Sequence, residues 1–323
     1  MDTIGEPWMW GAFLAFVLGM LFLDLLTFGG GRAHRVSVKE AAGWSAVWVG
    51  LALLFALGLW AYLSESAGRA VADAKALEFL AGYLIEKSLS VDNVFVFLLI
   101  FGHFAVPSEW QRRVLLYGVL GAIALRALMI LAGVWLVGQF SWILYLFGVF
   151  LLITGMRMLV AAEKEPDLDK NPLLRWAKKV LPFSDGFRGE RFSVVENGVR
   201  LFTPLFLVLL LIEASDVVFA VDSIPAIFAV TTDPFIVFTS NIFAIMGLRA
   251  LYFLLADMAE RFHLLKYGLA FVLMFVGGKM LAAHWVHVPT QASLLVIGII
   301  LAASVIASLI ATRPAYKEDR HGG

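Results

Sequence analysis

Nine long apolar windows limit what this chain can fold into more than any other feature of its sequence. Each is long enough to cross about 30 Å of hydrocarbon as an α-helix. A helix also bonds its own backbone N–H and C=O groups, which a bilayer leaves no water to satisfy. The windows fall at 8–28, 41–63, 77–101, 113–137, 140–160, 201–230, 235–256, 267–286 and 291–312. The sequence predicts an all-α polytopic membrane protein with about nine transmembrane helices, numbered here in that order.

Composition agrees with membrane insertion and excludes several functions. Of the 323 residues, 61% are hydrophobic and 15% are charged, against about 25% charged in soluble domains. The net charge of zero gives no indication of a nucleic-acid partner. The absence of cysteine excludes disulfides, thiolate metal sites and thiol catalysis in this chain. We expect the first window to be retained as a span, because no basic segment precedes it as in a signal peptide.

Lys and Arg in the connections predict the orientation of the chain. Eighteen of them lie in the connections and tail on one side, and two, Arg69 and Lys75, lie on the other. Because the basic side faces the cytoplasm in most membrane proteins, we expect the N-terminus outside and the C-terminus inside the cell.

Three sequence matches in one order indicate an internal duplication. EKSLSVDN (86–93) aligns with DVVFAVDS (216–223), LRAL at 125–128 recurs at 248–251, and YLFGVFLLITGMRM (145–158) resembles YGLAFVLMFVGGKM (267–280). The unit holds three helices, so its two copies cross the membrane in opposite directions. The sequence predicts a 3+3 inverted-topology repeat of helices 3–5 and 6–8, an architecture typical of secondary transporters.

The duplication divides the chain into five parts. We expect residues 1–76 to hold helices 1 and 2, residues 77–160 to form repeat A, and residues 201–286 to form repeat B. Residues 161–200 are predicted to be a solvated cytoplasmic linker, and residues 287–323 to hold helix 9 and a cytoplasmic tail.

Ionisable residues inside the spans are the candidate functional residues, because a charge at the bilayer centre costs roughly 3 kcal/mol on insertion scales. The acids are Asp24, Glu86, Asp92, Glu213, Asp216 and Asp222. The bases inside or at the ends of spans are Lys87, Arg126, Arg157, Arg249 and Lys279. Because the two sets nearly balance, structural pairing within the bundle is the alternative to any functional site.

The acids predict a site for a hard divalent cation between helices 3 and 6. Carboxylate, amide and hydroxyl oxygens suit Mg²⁺, Ca²⁺ or Mn²⁺. The predicted ligands are Glu86, Asp92, Asn93, Glu213, Asp216, Asp222 and Ser223. The two acids of each copy lie six residues apart, about 9 Å along a helix, so we expect local unwinding. Pro225 leaves the carbonyl of Val221 without its N–H donor, and Ser88 and Ser90 can bond the backbone of the first copy.

Cation binding would offset the cost of burying these carboxylates. When the cation leaves, repulsion between the carboxylates favours proton binding, which predicts cation/proton exchange. For Arg126 and Arg249 two interpretations stay open: a structural clamp on Glu86 or Asp216, or a cation that fills the empty site and is displaced by substrate. Lys87 is expected to support the ligands from behind, and Asp24 to cap a helix or to gate.

The same segments resemble a known family. LIEKSLSVDNVFVF, FLDLLTFGGGRAHRVSVKEAAGWSAVW and VDSIPAIFAVTTDPFIVFTSNIFAIMGLRALYF are similar to the TerC/Alx family of bacterial membrane proteins, over roughly residues 10 to 285. The resemblance implies Mn²⁺ export within the wider LysE-like exporter group, in the bacterial inner membrane. For some members it also implies a role in loading metal onto secreted proteins, and with it contact with the secretion machinery. It assigns the acidic positions to the six acids named above, with Asn93, Ser215 and Ser223 beside them.

Three functions are weighed on these residues. The first is an exporter of Mn²⁺, which is its substrate; we expect no prosthetic group, and expect the bilayer and protons as its other partners. The second is a membrane enzyme that uses the acids, although no HExxH or GxSxG motif occurs. The third is a scaffold of a stress or secretion complex with purely structural acids. We expect no enzyme activity.

Overall fold

The computed structural model describes residues 3–29, 37–161, 168, 171–256, 264–286 and 288–311; for residues 24–29 and 161 it describes the backbone alone. The long helices follow the predicted apolar windows. They are α1 (Pro7–Gly29), α2 (Val38–Ser66), α3 (Arg69–His103), α4 (Ser108–Gln139), α5 (Ile143–Ala161), α7 (Pro204–Phe228), α10 (Leu265–Ala282) and α11 (Thr290–Ala311). Two shorter helices, α8 (Pro234–Met246) and α9 (Leu248–Ala256), share the seventh window.

Seven helical segments of the described residues are long and apolar enough to cross a membrane. They are α2, α4, α5, α7, α8 with α9, α10 and α11. Helix α3 is 35 residues long but is not among them, since it carries a run of charged residues that includes Glu86, Lys87 and Asp92. The described apolar part of α1, Pro7–Leu23, is shorter. The chain is therefore a multi-pass helical membrane protein.

Burial separates central helices from peripheral ones. In the most apolar window of α8–α9, 89% of the residues are buried inside the protein, against 11% in α11. Helix α3 packs against α2, α7 and α8, and α4 packs against α7 and α8. Thus α3, α4, α7 and α8, which carry most of the predicted site, meet at the centre of the bundle.

The predicted local unwinding in α3 and α7 is wrong for this conformation. Both helices are continuous, and Pro225 lies inside α7 only three residues before its end. Ser88 Oγ donates to the Leu84 carbonyl (2.6 Å) and Ser90 Oγ to the Glu86 carbonyl (2.8 Å). Because these hydroxyls bond carbonyls one turn back, they are accommodated within a regular helix.

The break in this bundle lies elsewhere, between α8 and α9 at Gly247. Lys87 Nζ lies 3.4 Å from the carbonyl of Ala244, in the last turn of α8. A Cβ on Gly247 would lie 2.5 Å from that ammonium group and 3.2 Å from Trp48 Cβ. A cation at the C-terminal end of a helix is stabilised by the helix dipole. Lys87 therefore caps the first half of a broken span, which gives its predicted supporting role a specific contact.

The segment predicted to be a solvated linker is folded where it is described. Helix α6 (Pro172–Val180) is capped at its N-terminus by Asn171, whose side chain accepts from Leu173 N at 2.9 Å. Strands β1 (Ser193–Glu196) and β2 (Val199–Phe202) form an antiparallel hairpin. Its turn, Asn197–Gly198, has positive φ at both residues, as a two-residue hairpin turn requires. The prediction missed both elements because they lack transmembrane length.

Candidate functional site

Arg126 of α4 forms the centre of a buried polar cluster. Its side chain is 1% exposed. Nε and Nη2 donate to the two carboxylate oxygens of Asp216 on α7, at 3.3 and 3.1 Å. Nη1 donates to Glu86 on α3 and, at 3.1 Å, to Ser223 Oγ on α7. One guanidinium group therefore joins three helices.

Asn241 of α8 completes the contacts of Glu86. Its amide donates to Glu86 Oε2 at 3.1 Å, and both side chains are fully buried. The amide oxygen of Asn241 has no hydrogen-bond partner within the described part of the chain. We call Glu86, Arg126, Asp216, Ser223 and Asn241 the central cluster. With two carboxylates and one guanidinium, it carries a formal charge of −1.

Glu213 lies beside the central cluster on α7. Its carboxylate is repelled by that of Asp216, which lies one turn further along the same helix. Its carboxylate packs on Gly121 of α4, where any Cβ would collide with both oxygens. Oε2 is buried and has no hydrogen-bond partner among the residues described. Gly121 thus makes room for a carboxylate that has one buried oxygen without a hydrogen-bond partner among the described residues.

Asp92 and Asp222 form a second acidic group. The negative charges of Asp92 and Asp222 repel one another, whereas the positive charge of Lys266 attracts Asp92. Thr154 of α5 donates to Asp222 Oδ1 at 3.2 Å. Asp222 also lines an open groove of about 510 Å³ between α5 and α7, beside the exposed Val218 and Val221. The other lining residues are Phe150, Thr154, Arg157, Met158, Val218 and Val221.

The remaining predicted residues fall into three cases. Asn93 is 1% exposed, and neither of its amide atoms has a hydrogen-bond partner among described side chains and backbone. Ser215 bonds the Leu211 carbonyl (2.7 Å) within α7, and Arg249 lies 8% exposed just after the break at Gly247. The side chain of Asp24 lies outside the described residues, so its predicted capping or gating role stays a prediction.

The structure brings the predicted ligands together in two groups rather than one. Glu86, Asp216 and Ser223 meet on Arg126, with Glu213 next to them, whereas Asp92 and Asp222 form the second group. Across the described residues, no three acidic or histidine side chains are placed to hold a metal ion. Arg126 contacts both Glu86 and Asp216 in this conformation, as either of its two interpretations allows.

Three residues of the site were not predicted: Gly121, Thr154 and Asn241. Each lies on a different helix from the acid that it contacts. Asn241 could have been found, because Thr239, Ser240 and Asn241 form a polar run within an apolar window. For Gly121 and Thr154 the sequence contains no comparable signal, since their roles depend on how α4 and α5 pack against α7.

Comparison with known proteins gives a consistent assignment. A family model described as "Integral membrane protein TerC family" matches residues 71–315. A protein of Escherichia coli (strain K12) named "Putative membrane-bound redox modulator Alx" is 55% identical over the full length of both chains. A Salmonella typhi protein of the same name is 57% identical over 99% of this chain and 98% of its own. A Myxococcus xanthus protein, "Uncharacterized membrane protein STKORF319", is 51% identical over 98% of this chain and 97% of its own. No solved structure matches.

Proposed function

We propose, from the premise that this chain belongs to the TerC family of integral membrane proteins, that it exports a divalent metal cation, Mn²⁺ above all, in exchange for protons. One observation carries the proposal. Glu86 and Asp216, which occupy equivalent positions in the two sequence copies, converge on one buried cation, the guanidinium of Arg126. A place that accommodates a cation between two acids in the middle of a membrane protein is what a cation transporter needs.

The packing of α5 against α10 supports the inverted repeat on which this mechanism depends. A Cβ on Gly148 would lie 3.1 Å from the Gly277 carbonyl, and one on Gly155 would lie 2.8 Å from the Ala270 carbonyl. In the sequence alignment of the copies, Gly148 corresponds to Ala270 and Gly155 to Gly277. Each contact is therefore the other with the two copies exchanged, as a two-fold relation requires.

The donor atoms around the central cluster suit a hard cation. Carboxylates of Glu86, Glu213 and Asp216 lie beside the amide of Asn241, whose oxygen is buried without a partner in the described residues. Oxygen ligands of this kind favour Mn²⁺, Mg²⁺ and Ca²⁺ over softer metals. Buried polar atoms without partners are uncommon in native proteins. They are consistent with ligands that find their partner when substrate enters.

We interpret the present arrangement as the substrate-free state. Arg126 neutralises part of the charge on Glu86 and Asp216 while no cation is bound. A divalent cation would displace the guanidinium, and protons would return to the carboxylates when the cation leaves, because nearby acids repel one another. Asp222, which lines the open groove, contacts the ion either before it reaches the central cluster or after it leaves. On this account the chain transports its substrate and catalyses no reaction.

The basic connections support an orientation for export. From them we infer that the C-terminus and the α6–hairpin segment lie in the cytoplasm and the N-terminus outside, in a bacterial inner membrane. Redox modulation, the activity named for the relatives, would need a group other than a thiol in this chain, which contains no cysteine.

A scaffold function is the alternative, favoured by the hairpin, whose Val195 and Val199 are 70% and 55% exposed. The distinguishing experiment measures manganese retained by cells that express Asp92→Asn or Asp222→Asn at unchanged protein levels. Export predicts more retained Mn²⁺ for both variants than for Glu196→Gln, a surface acid that pairs with Arg188. Equal retention in all three would support the scaffold.

A further inference from the structure

Helix α6 has more apolar surface than the bundle covers. Leu174 and Ala177 are buried against the bundle. Trp176 and Val180, four residues apart and therefore on one side of the helix, are each 56% exposed. In a short helix beside a folded core, an exposed tryptophan next to an exposed valine indicates a second apolar contact.

The opposite side of α6 is basic. Arg175, Lys178 and Lys179 are exposed, and the helix sequence PLLRWAKKV contains no acid. The two lysines lie in the last turn, where a helix already favours cations. The exposed surface of α6 thus combines a tryptophan with three positive charges.

The position of α6 places this surface at one end of the bundle. Leu174 belongs to a cluster with Phe101 near the end of α3, Val114 near the start of α4 and Leu205 at the start of α7. Helix α3 ends here and α4 and α7 begin here, and the last two are long and apolar enough to cross a membrane, so we infer that this end of the bundle lies near the membrane surface. An amphipathic helix at this depth, with Trp on its apolar side and Lys and Arg on its polar side, matches helices that lie in the interface.

We propose that α6 is an interfacial helix that binds anionic phospholipids of the bilayer, with Trp176 and Val180 at the boundary of the acyl chains and the three basic side chains on the headgroups. Charge complementarity selects this partner, because basic residues near a membrane surface attract anionic lipid. The proposal stands independently of the exported ion. It assigns a function to a segment that the transport mechanism does not use.

The depth of α6 is measured with a fluorophore attached at residue 176. The chain has no cysteine, so Trp176→Cys gives one labelling site in the full-length protein. In nanodiscs containing phosphatidylglycerol, lipids with brominated acyl chains should quench this fluorophore, and should not quench one at Val195→Cys on the hairpin. A fluorophore at Val180→Cys should behave as the one at 176. If quenching at 176 and 180 is no stronger than at 195, this face is exposed to water and the proposal is wrong.

The charge contribution is tested in the Trp176→Cys background. With phosphatidylglycerol diluted into phosphatidylcholine, energy transfer from residue 176 to labelled phosphatidylglycerol reports its local enrichment. Lys178→Gln/Lys179→Gln should lower that enrichment, by up to about fivefold for each charge removed. Arg188→Gln is the matched control, since Arg188 is exposed in the same segment but pairs with Glu196 at 2.9 Å. Equal enrichment in the double variant and the control would overturn the proposal and leave a docking surface for protein.

Discussion

At the scale of single residues, the central cluster depends on the balance between burial and pairing. Glu86, Asp216 and Arg126 are each at most 3% exposed at their side chains. Removing such ions from water costs several kcal/mol each, and only close partners offset that cost. The cluster is therefore stable as a unit, and each member depends on the others.

Arg126→Gln tests this dependence. Without the guanidinium, two buried carboxylates lie near one another with no cation between them, and we expect the protein to lose about 3–5 kcal/mol of stability. The thermal unfolding of purified protein in detergent measures the loss. If the cluster is also the cation site, added Mn²⁺ should raise the unfolding temperature of Arg126→Gln more than that of the wild type.

Arg200→Gln serves as the control for this prediction, because Arg200 is exposed and its side chain donates hydrogen bonds to the Ser193 hydroxyl rather than to a buried acid. It should unfold like the wild type. An Arg126→Gln protein that is as stable as this control would show that the carboxylates are not buried ions.

Gly121 provides a second test at this scale. Gly121→Ala places a methyl group against the carboxylate of Glu213, so this flexible side chain must leave its preferred conformation, at a cost of about 1 kcal/mol. Shortening the acid in Gly121→Ala/Glu213→Ala should restore part of that stability. A double-mutant cycle on unfolding temperatures measures the coupling. Additive effects of the two substitutions would contradict the contact.

How far the site could be predicted differs from residue to residue. The sequence identifies Glu86, Asp216 and Arg126, because charged residues in apolar windows need a reason to be there. It does not determine that one arginine holds both acids, since that depends on the distance between α3, α4 and α7. Thr154 escapes prediction for the same reason, whereas the polar run at 239–241 could have indicated Asn241.

At the scale of elements, hydropathy predicts where the long helices lie, because each apolar window must cross the same thickness of bilayer. Of the nine expected spans, seven are long and apolar enough within the described residues to cross a membrane. It does not predict the break at Gly247, which depends on Lys87 and Trp48 from other helices. The pair Asn197–Gly198 is typical of a two-residue hairpin turn, so the sequence could have predicted the hairpin. The unwinding expected around Pro225 does not occur, since the loss of one N–H bond to the Val221 carbonyl leaves the rest of α7 continuous.

The α5–α10 contact gives a prediction at this scale. In Gly277→Ala the new methyl group would lie 2.7 Å from the Gly148 carbonyl and 2.9 Å from Leu152 N, so the helices must separate at a cost of about 1–3 kcal/mol. The adjacent Gly278→Ala is a matched control, since its Cβ would meet nothing within 4 Å. Thermal unfolding compares the two variants, and equal stability would contradict this close packing.

At the scale of the whole molecule, we propose that two similar halves of opposite orientation hold oxygen ligands between them. The sequence matches and the exchanged contacts of α5 and α10 support that arrangement. In the function proposed above, the present conformation, with Arg126 on Glu86 and Asp216, is one end of a transport cycle. The other end requires the guanidinium to leave while a metal ion takes its place.

The most direct measurement reconstitutes the full-length chain into liposomes with a Mn²⁺-sensitive dye and a pH dye. The account predicts that a Mn²⁺ gradient drives Mn²⁺ across the membrane and protons in the opposite direction, and that Asp216→Asn abolishes both signals while Glu196→Gln retains them. Mn²⁺ movement without a pH signal would contradict the exchange, and unchanged Mn²⁺ movement in Asp216→Asn would contradict the site.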